Sequence, residues 1–250
     1  MNATFLLNTV SENPERLFRF YRDVVGLPFR EGMGENAVAA GGATIAFDTH
    51  RDLCGQAMEP SRFLADFRVA DAKAERERME ANGATFIRKE GAEAWGGMIS
   101  TFVDPDGNYG QLMQAPGDTA GPGEVFSFTL DVTSDDPDRL FDFYRDVVGL
   151  EPFPAIGPHG LKVSDGAIMH FDTHSETYGP AREPVRQLVD FMVEDLAAEQ
   201  ARMEAAGARF FRKQGREFWG GLVSSCLDPD GNIVQIIEYR EELDTTRAES

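Results

Sequence analysis

The phrase "WGGMISTFVDPDGNYGQL" (Trp95–Leu112) is written a second time as "WGGLVSSCLDPDGNIVQI" (Trp219–Ile236). Trp95 maps to Trp219, Asp104 to Asp228 and Phe47 to Phe171 by a shift of 124, and "FYRDVVGL" recurs at Phe20 and Phe143 by a shift of 123. One residue has therefore been gained between these landmarks. A chain of 250 residues built this way is a tandem duplication, and each half is long enough to bury a core of its own. Residues 1–114 and 125–239 read as the two domains, joined by the Gly/Pro-rich "APGDTAGPGE" (115–124) and followed by a charged, apolar-poor tail, 240–250.

A fainter repeat lies inside each half. Strand-like "TFLLNTV" leads to a helix with Asn13 as N-cap, Pro14 in its first turn and Gly26 just past its end. Leu17, Phe18, Tyr21, Val24 and Val25 give that helix an apolar stripe. "NAVAAGG" and "ATIAFDTH" follow as strands, and the pattern then restarts with "RFLADFRV", a helix capped by Asp71 and stopped by Gly83, and three more strands. Asp104-Pro-Asp-Gly-Asn108 is the turn of the last hairpin. The second half repeats the scheme, with helices from Asp136-Pro137 to Gly149 and from Asp195 to Gly207. The unit is strand–helix–strand–strand–strand, four times over. One helix cannot cover four strands, so such modules pair, and two of them curl their sheets around a shared cleft of small-molecule size.

Composition narrows the partners. Lys plus Arg total 24 against 43 Asp plus Glu, a formal charge of −19 that repels nucleic-acid phosphates and anionic membranes. The same field attracts a cationic ligand, or simply keeps the surface soluble. No apolar run approaches the roughly 18–20 residues of a membrane span, and the N-terminus lacks a secretory pattern. Cys54 and Cys226 lie in non-equivalent places with no metal-binding spacing, which fits reduced thiols and a cytoplasmic location.

The Asn/Asp-Pro helix start, "FYRDVVGL", the Gly-stopped second helix and the closing "DPDGN", in that order and twice over, resemble the vicinal oxygen chelate superfamily. That superfamily includes glyoxalase I, fosfomycin-resistance proteins, bleomycin-binding proteins and extradiol dioxygenases. The resemblance runs from about Thr4 to Tyr239. It implies an α+β fold of four βαβββ modules paired into two glyoxalase-like domains, each with a curved mixed sheet around a cleft. It implies nothing so definite about chemistry, because one fold hosts many reactions. In such proteins His, Gln or Glu side chains hold a divalent metal that acts as a Lewis acid on two neighbouring substrate oxygens.

Aligned by distance from the helix start or the DPDGN turn, the four ligand positions of the first half hold Leu6, Ala46, Leu64 and Gln111. Those of the second half hold Thr129, His170, Leu188 and Gln235. Only His170 is a good ligand, and a neutral glutamine replaces the closing glutamate in each half. The expectation is therefore that neither half holds a metal.

Strand alternation predicts what lines the clefts instead. Asn8, Asp48 and Asp66 are expected in a first cleft, and Asp131, Asp172 and Asp190 in a second. Asp48 and Asp172 open "FDTH" at strand ends, where an Asp also caps a turn, so both readings stand. Trp95 and Trp219 either wall the clefts or pack in the core. His50 and His174 read as loop histidines.

Two functions follow. One is a metal-independent binder of a cationic or aromatic small molecule, of the bleomycin-resistance kind, with Asn8, Asp48, Asp66, Trp95, Gln111, Thr129, Asp190, Trp219 and Gln235 contacting the ligand. The other is an enzyme using His170, Asp172 and Asp131 for acid–base work, or a divalent metal at a relocated site in the second half. Since a tandem chain can build its clefts internally, a monomer or a homodimer is expected.

Overall fold

The computed structural model describes residues 1, 3–118, 125 and 127–239; most of the expected linker and the whole of the tail lie outside the described residues. The first half runs β1 (Thr4–Val10), α1 (Pro14–Arg19), β2 (Ala37–Ala40), β3 (Ala43–Asp48), β4 (Phe63–Arg68), α2 (Ala72–Ala81), β5 (Thr85–Ala92), β6 (Met98–Val103) and β7 (Tyr109–Gln114). The second runs β8 (Ser127–Thr133), α3 (Pro137–Asp142), β9 (Glu151–Pro152), β10 (Gly160–Ser164), β11 (Ala167–Asp172), β12 (Gln187–Met192), α4 (Leu196–Ala205), β13 (Phe210–Arg216), β14 (Leu222–Leu227) and β15 (Ile233–Glu238).

The caps work as the sequence implies. Asn13, Asp71, Asp136 and Asp195 each accept a hydrogen bond from the backbone N–H three residues on, which satisfies a donor the helix itself cannot. The repeated "FYRDVV" extends α1 and α3 with a wider-wound turn, in which the Gly26 and Gly149 N–H groups reach back five residues to Tyr21 and Tyr144. Both glycines hold a left-handed φ, 92° and 87°, and end the helix there. In the first and third modules the strand after the helix is shortened, to a single bridge between Phe29 and Val38 and to the two residues of β9.

The modules pair differently from the expectation. One sheet has the order β13-β14-β15-β12-β1-β3-β2, the other β5-β6-β7-β4-β8-β11-β10-β9. The central pairings are β1 with β12 and β4 with β8, both antiparallel. The first module thus joins the fourth and the second joins the third, so each sheet takes strands from both halves. The repeat shows which modules are alike; it does not show which free edges meet, because β1, β4, β8 and β12 all offer equivalent ones.

Alternation then sorts the side chains. Phe5 and Phe191 from one sheet and Phe67 and Phe128 from the other meet in one core, the Phe5–Phe128 rings 6.2 Å apart across the sheets. Leu17, Tyr21, Met79, Leu140, Tyr144 and Met203 of the helical segments close that core. The sheets also touch through a hairpin tip. Gly42 donates to Gly166 O at 3.0 Å, and a Cβ on Gly42 would stand 1.8 Å from Asp165 O, so only glycine fits. The opposite face of each sheet, away from the helices, carries the polar positions picked out by the alternation.

The two repeated motifs are also joined in space. Asp104 accepts the backbone N–H groups of Asp106 and Asn108, the Asn108 side-chain amide and the Tyr21 hydroxyl. "DPDGN" thereby locks onto the tyrosine of "FYRDVVGL", and Asp228 with Tyr144 does the same in the second half.

Candidate functional site

On the eight-stranded sheet, β4, β7, β8 and β11 bring Asp66, Gln111, Asp131 and His170 together. Asp66 lies opposite Gln111 and Thr129, and Asp131 opposite Leu64 and His170. The His170 Nδ1 is 3.2 Å from Asp131 Oδ1. Burial lowers the pKa of His170, but the hydrogen bond and charge of Asp131, with the charge of Asp172, outweigh it and raise the imidazole above its ordinary value. Burial first, then the charge of Asp131, pushes the Asp66 carboxyl well above the usual range. Asp66 thus sits beside an Asp–His pair as a buried carboxyl whose charged form is disfavoured. The side chains of His170 and Asp131 keep 22% and 18% of their surface in solvent, so the pair is reachable.

The edges of this face are open. Trp95 folds back over Gly97, where a Cβ would collide with its ring, and remains 49% exposed. Gly157, with a φ of 121°, sits beside the second nitrogen of His170, and a Cβ there would be 3.5 Å from Nε2. Its neighbour Ile156 is also exposed. Gln111 donates from Nε2 to Thr101 Oγ1 at 3.2 Å.

The equivalent face of the seven-stranded sheet has the opposite character. Asp190 stands opposite Leu6 and Gln235, and Asn8 opposite Leu188 and Ala46. Leu6, Val223 and Ile237 are buried there, with Met33, Ala46, Met192 and Trp219 packed against them. Trp219 stacks on Tyr239 at 6.2 Å, while Gln235 Nε2 donates to Ser225 Oγ at 2.8 Å. Asp190 is 1% exposed and neither carboxyl oxygen has a hydrogen-bond partner. Burial alone raises its pKa well above the ordinary carboxylate value. Asn8 Oδ1 and Thr44 Oγ1, on the same face, are buried and unpartnered as well.

These placements correct the expected grouping. Asp66 belongs with Asp131 and His170, and Asp190 with Asn8, because the modules pair across the halves. Asp48 and Asp172 are exposed at the ends of β3 and β11, where each accepts the next backbone N–H at 2.7 Å as a turn cap. Asp172 acts on His170 through its charge only. His50 and His174 also hold turns, accepting from Asp52 N and Glu176 N. Among the described residues, neither face gathers the three carboxylates expected of it.

Model matches to known families agree with this architecture. The Glyoxalase/Bleomycin resistance protein/Dioxygenase superfamily matches residues 127–236, and a Glyoxalase-like domain matches residues 6–113. The chain belongs to the glyoxalase/bleomycin resistance protein/dioxygenase superfamily, as a tandem of two such domains. Among solved structures it is similar to glyoxalase I from Zea mays, with a TM-score of 0.71 and 15% identity over 93% of this chain and 91% of that one. It is also similar to a putative dioxygenase from Bacillus subtilis, with a TM-score of 0.65 and 14% identity over 95% and 85%. At these identities the likeness is one of fold. No curated protein matches the chain in sequence.

The donor set does not fit the superfamily's metal. Of the eight ligand positions, only His170 offers a strong donor; Leu6, Leu64, Leu188 and Ala46 offer none. No group of three or more His, Cys, Asp or Glu among the described residues is arranged to hold a metal ion. Met33, Ile156, Thr44 and Gly157 were not singled out from the sequence. Met33 and Ile156 are related by the same 123-residue shift as the "FYRDVVGL" motif, which is the signal that marks them as equivalent rims.

No helix among the described residues is long and apolar enough to cross a membrane.

Proposed function

We propose that this protein binds a small polar aromatic molecule, without a metal, on the eight-stranded face above Asp131 and His170. The carrying observation is the Asp131–His170 pair at 3.2 Å, partly solvated, with Gly157 beside His170 Nε2. Trp95 offers an apolar face to a ring, and Asp131 an acceptor to an amine or hydroxyl. Thr129, Gln111 and the Asp66 carboxyl add further polar groups. The overall charge of −19 favours encounter with a cationic form of such a ligand.

Titration with a panel of aromatic amines and phenols tests this by tryptophan fluorescence and melting temperature. At least one compound is expected to raise the melting temperature and quench Trp95, and both Asp131→Asn and His170→Gln to weaken it by about tenfold or more. A panel with no effect, or binding untouched in both variants, overturns the reading.

The same pair favours a second reading, an acid–base enzyme. Asp131 would fix His170 through Nδ1 and leave Nε2 to accept a substrate proton. Turnover that survives His170→Ala would remove this mechanism.

A further inference from the structure

One motif of the repeat belongs to neither face. Glu59-Pro60-Ser61-Arg62 recurs as Glu183-Pro184-Val185-Arg186, just before β4 and β12. Both copies reach across to the other half. Arg62 donates to Glu59 Oε1 and, at 2.8 Å, to Gly179 O. Arg186 pairs with Glu183 Oε2 at 2.8 Å and donates to Gly55 O at 2.9 Å. Glu59 Oε2 accepts the Arg182 N–H at 2.5 Å, and Glu183 Oε1 the Met58 N–H at 2.6 Å. The carboxylate oxygens of both copies are therefore engaged. The guanidinium groups are not: Nη1 of each is buried without a hydrogen-bond partner, in side chains 3% and 5% exposed. Arg62 Nη1 stands 3.7 Å from Asp230 Oδ2, beyond hydrogen-bond reach.

The two Glu–Arg pairs line one small cavity together with Gln187 and Asn232. Its volume is about 20 Å³, the room of a single water molecule or monatomic ion. The amide oxygens of Gln187 and Asn232 are also bare. The rival occupant is therefore a water that takes both guanidinium N–H groups and gives its own to both amides. Charge decides between the two. A hydrogen bond from a guanidinium to an anion is about twice as strong as one between neutral groups, and an anion also relieves the repulsion between two buried cations. Gln187 changes from acceptor to donor by a half-turn of its amide. The Asn232 oxygen is left unpaired, a neutral group whose cost is smaller than the gain from two charge-assisted bonds. We infer that a small monovalent anion of chloride size binds between Arg62 and Arg186 and ties the roots of β4 and β12 together across the two halves. The site shares no residue with the Asp131–His170 face, and the inference does not rest on the binding proposed there.

Bromide, which scatters anomalously, tests this in a sodium gluconate background held at constant ionic strength, gluconate being too large to enter. Replacing gluconate by bromide or chloride is expected to raise the melting temperature by about 3–5 °C, the shift for a site filled at roughly ten times its dissociation constant. Bromide-soaked crystals should show one anomalous peak between Arg62 and Arg186. Arg186→Gln, with its baseline stability read in gluconate alone, should lose the halide shift. If that variant does not fold, the peak and the shift in the native protein decide. A water at this position with no bromide signal, equal melting temperatures in gluconate and bromide, or a halide shift that survives in Arg186→Gln overturns the inference. A peak without a shift in solution is binding at crystal concentration only, and overturns it as well.

Discussion

Asp228→Ala is expected to lower the stability of the protein by about 3–5 kcal/mol, the scale for stripping a buried charged group from its partners. Asp228 is buried, and its carboxylate accepts four hydrogen bonds: from the N–H groups of Asp230 and Asn232 at 2.9 Å each, from the Asn232 side chain at 2.8 Å and from the Tyr144 hydroxyl at 3.2 Å. Alanine would orphan all four donors and free the hairpin from the helical segment that carries Tyr144. Tyr144→Phe removes a single partner and should cost about 1 kcal/mol. Urea unfolding checks both, as a fall in midpoint at unchanged slope. A loss under about 1 kcal/mol in Asp228→Ala would mean that the turn folds without its carboxylate.

The second large effect is on pH dependence. Burial raises Asp66 and Asp190 well above the ordinary value and pushes Asp104 and Asp228 up to about 6. An acid with a raised folded pKa binds its proton more tightly in the native state. Its contribution is complete below the unfolded pKa of about 4 and is lost as pH rises through the folded value. His170 is also raised, so its share is likewise present at low pH and lost on the way up. Burial raises Glu59, but its bonds and charges with Arg62 and Arg182 together prevail and lower it, while the Arg76 and Arg68 side chains lower Glu90 and Asp118; these groups lose stability only as pH falls below about 4.5. Relief of the net negative charge acts in the same direction as the raised group. The melting temperature should therefore climb from pH 8 to a maximum near pH 5. Asp190→Leu should raise stability at pH 8 by about 1–3 kcal/mol, since it removes a buried polar group with no partners, and flatten that climb. A maximum at pH 7–8, or a destabilised Asp190→Leu, would show that Asp190 is ionised and paired in the native protein.

Local structure was readable from the residues because it rests on local chemistry. Asn13, Asp71, Asp136 and Asp195 cap helices whatever surrounds them, and Gly26 and Gly149 stop helices because their φ is positive. The "WGG" phrase is equally local, since Gly97 and Gly221 leave room for the rings of Trp95 and Trp219 to fold back over them, but the sequence alone left those rings between cleft wall and core. The partnership of modules was not readable, since it depends on which of four equivalent strand edges meet. That one unknown regrouped the whole candidate site, moving Asp66 beside Asp131 and leaving Asp190 with Asn8. Asp48 and Asp172 had two local readings, and the turn-cap geometry chose between them. The contrast between an open polar face and a closed apolar one was written in Thr129 against Leu6, but its meaning needed the positions of Met33 and Trp219.

The central claim is that the clefts of this superfamily member work without a metal. The most direct test is elemental mass spectrometry on untagged protein purified without chelators, then dialysed against manganese, iron, nickel and zinc salts, alongside His170→Ala. The account predicts no metal above background in either protein. One equivalent per chain in the native protein, absent from His170→Ala, would contradict it and make His170 a metal ligand.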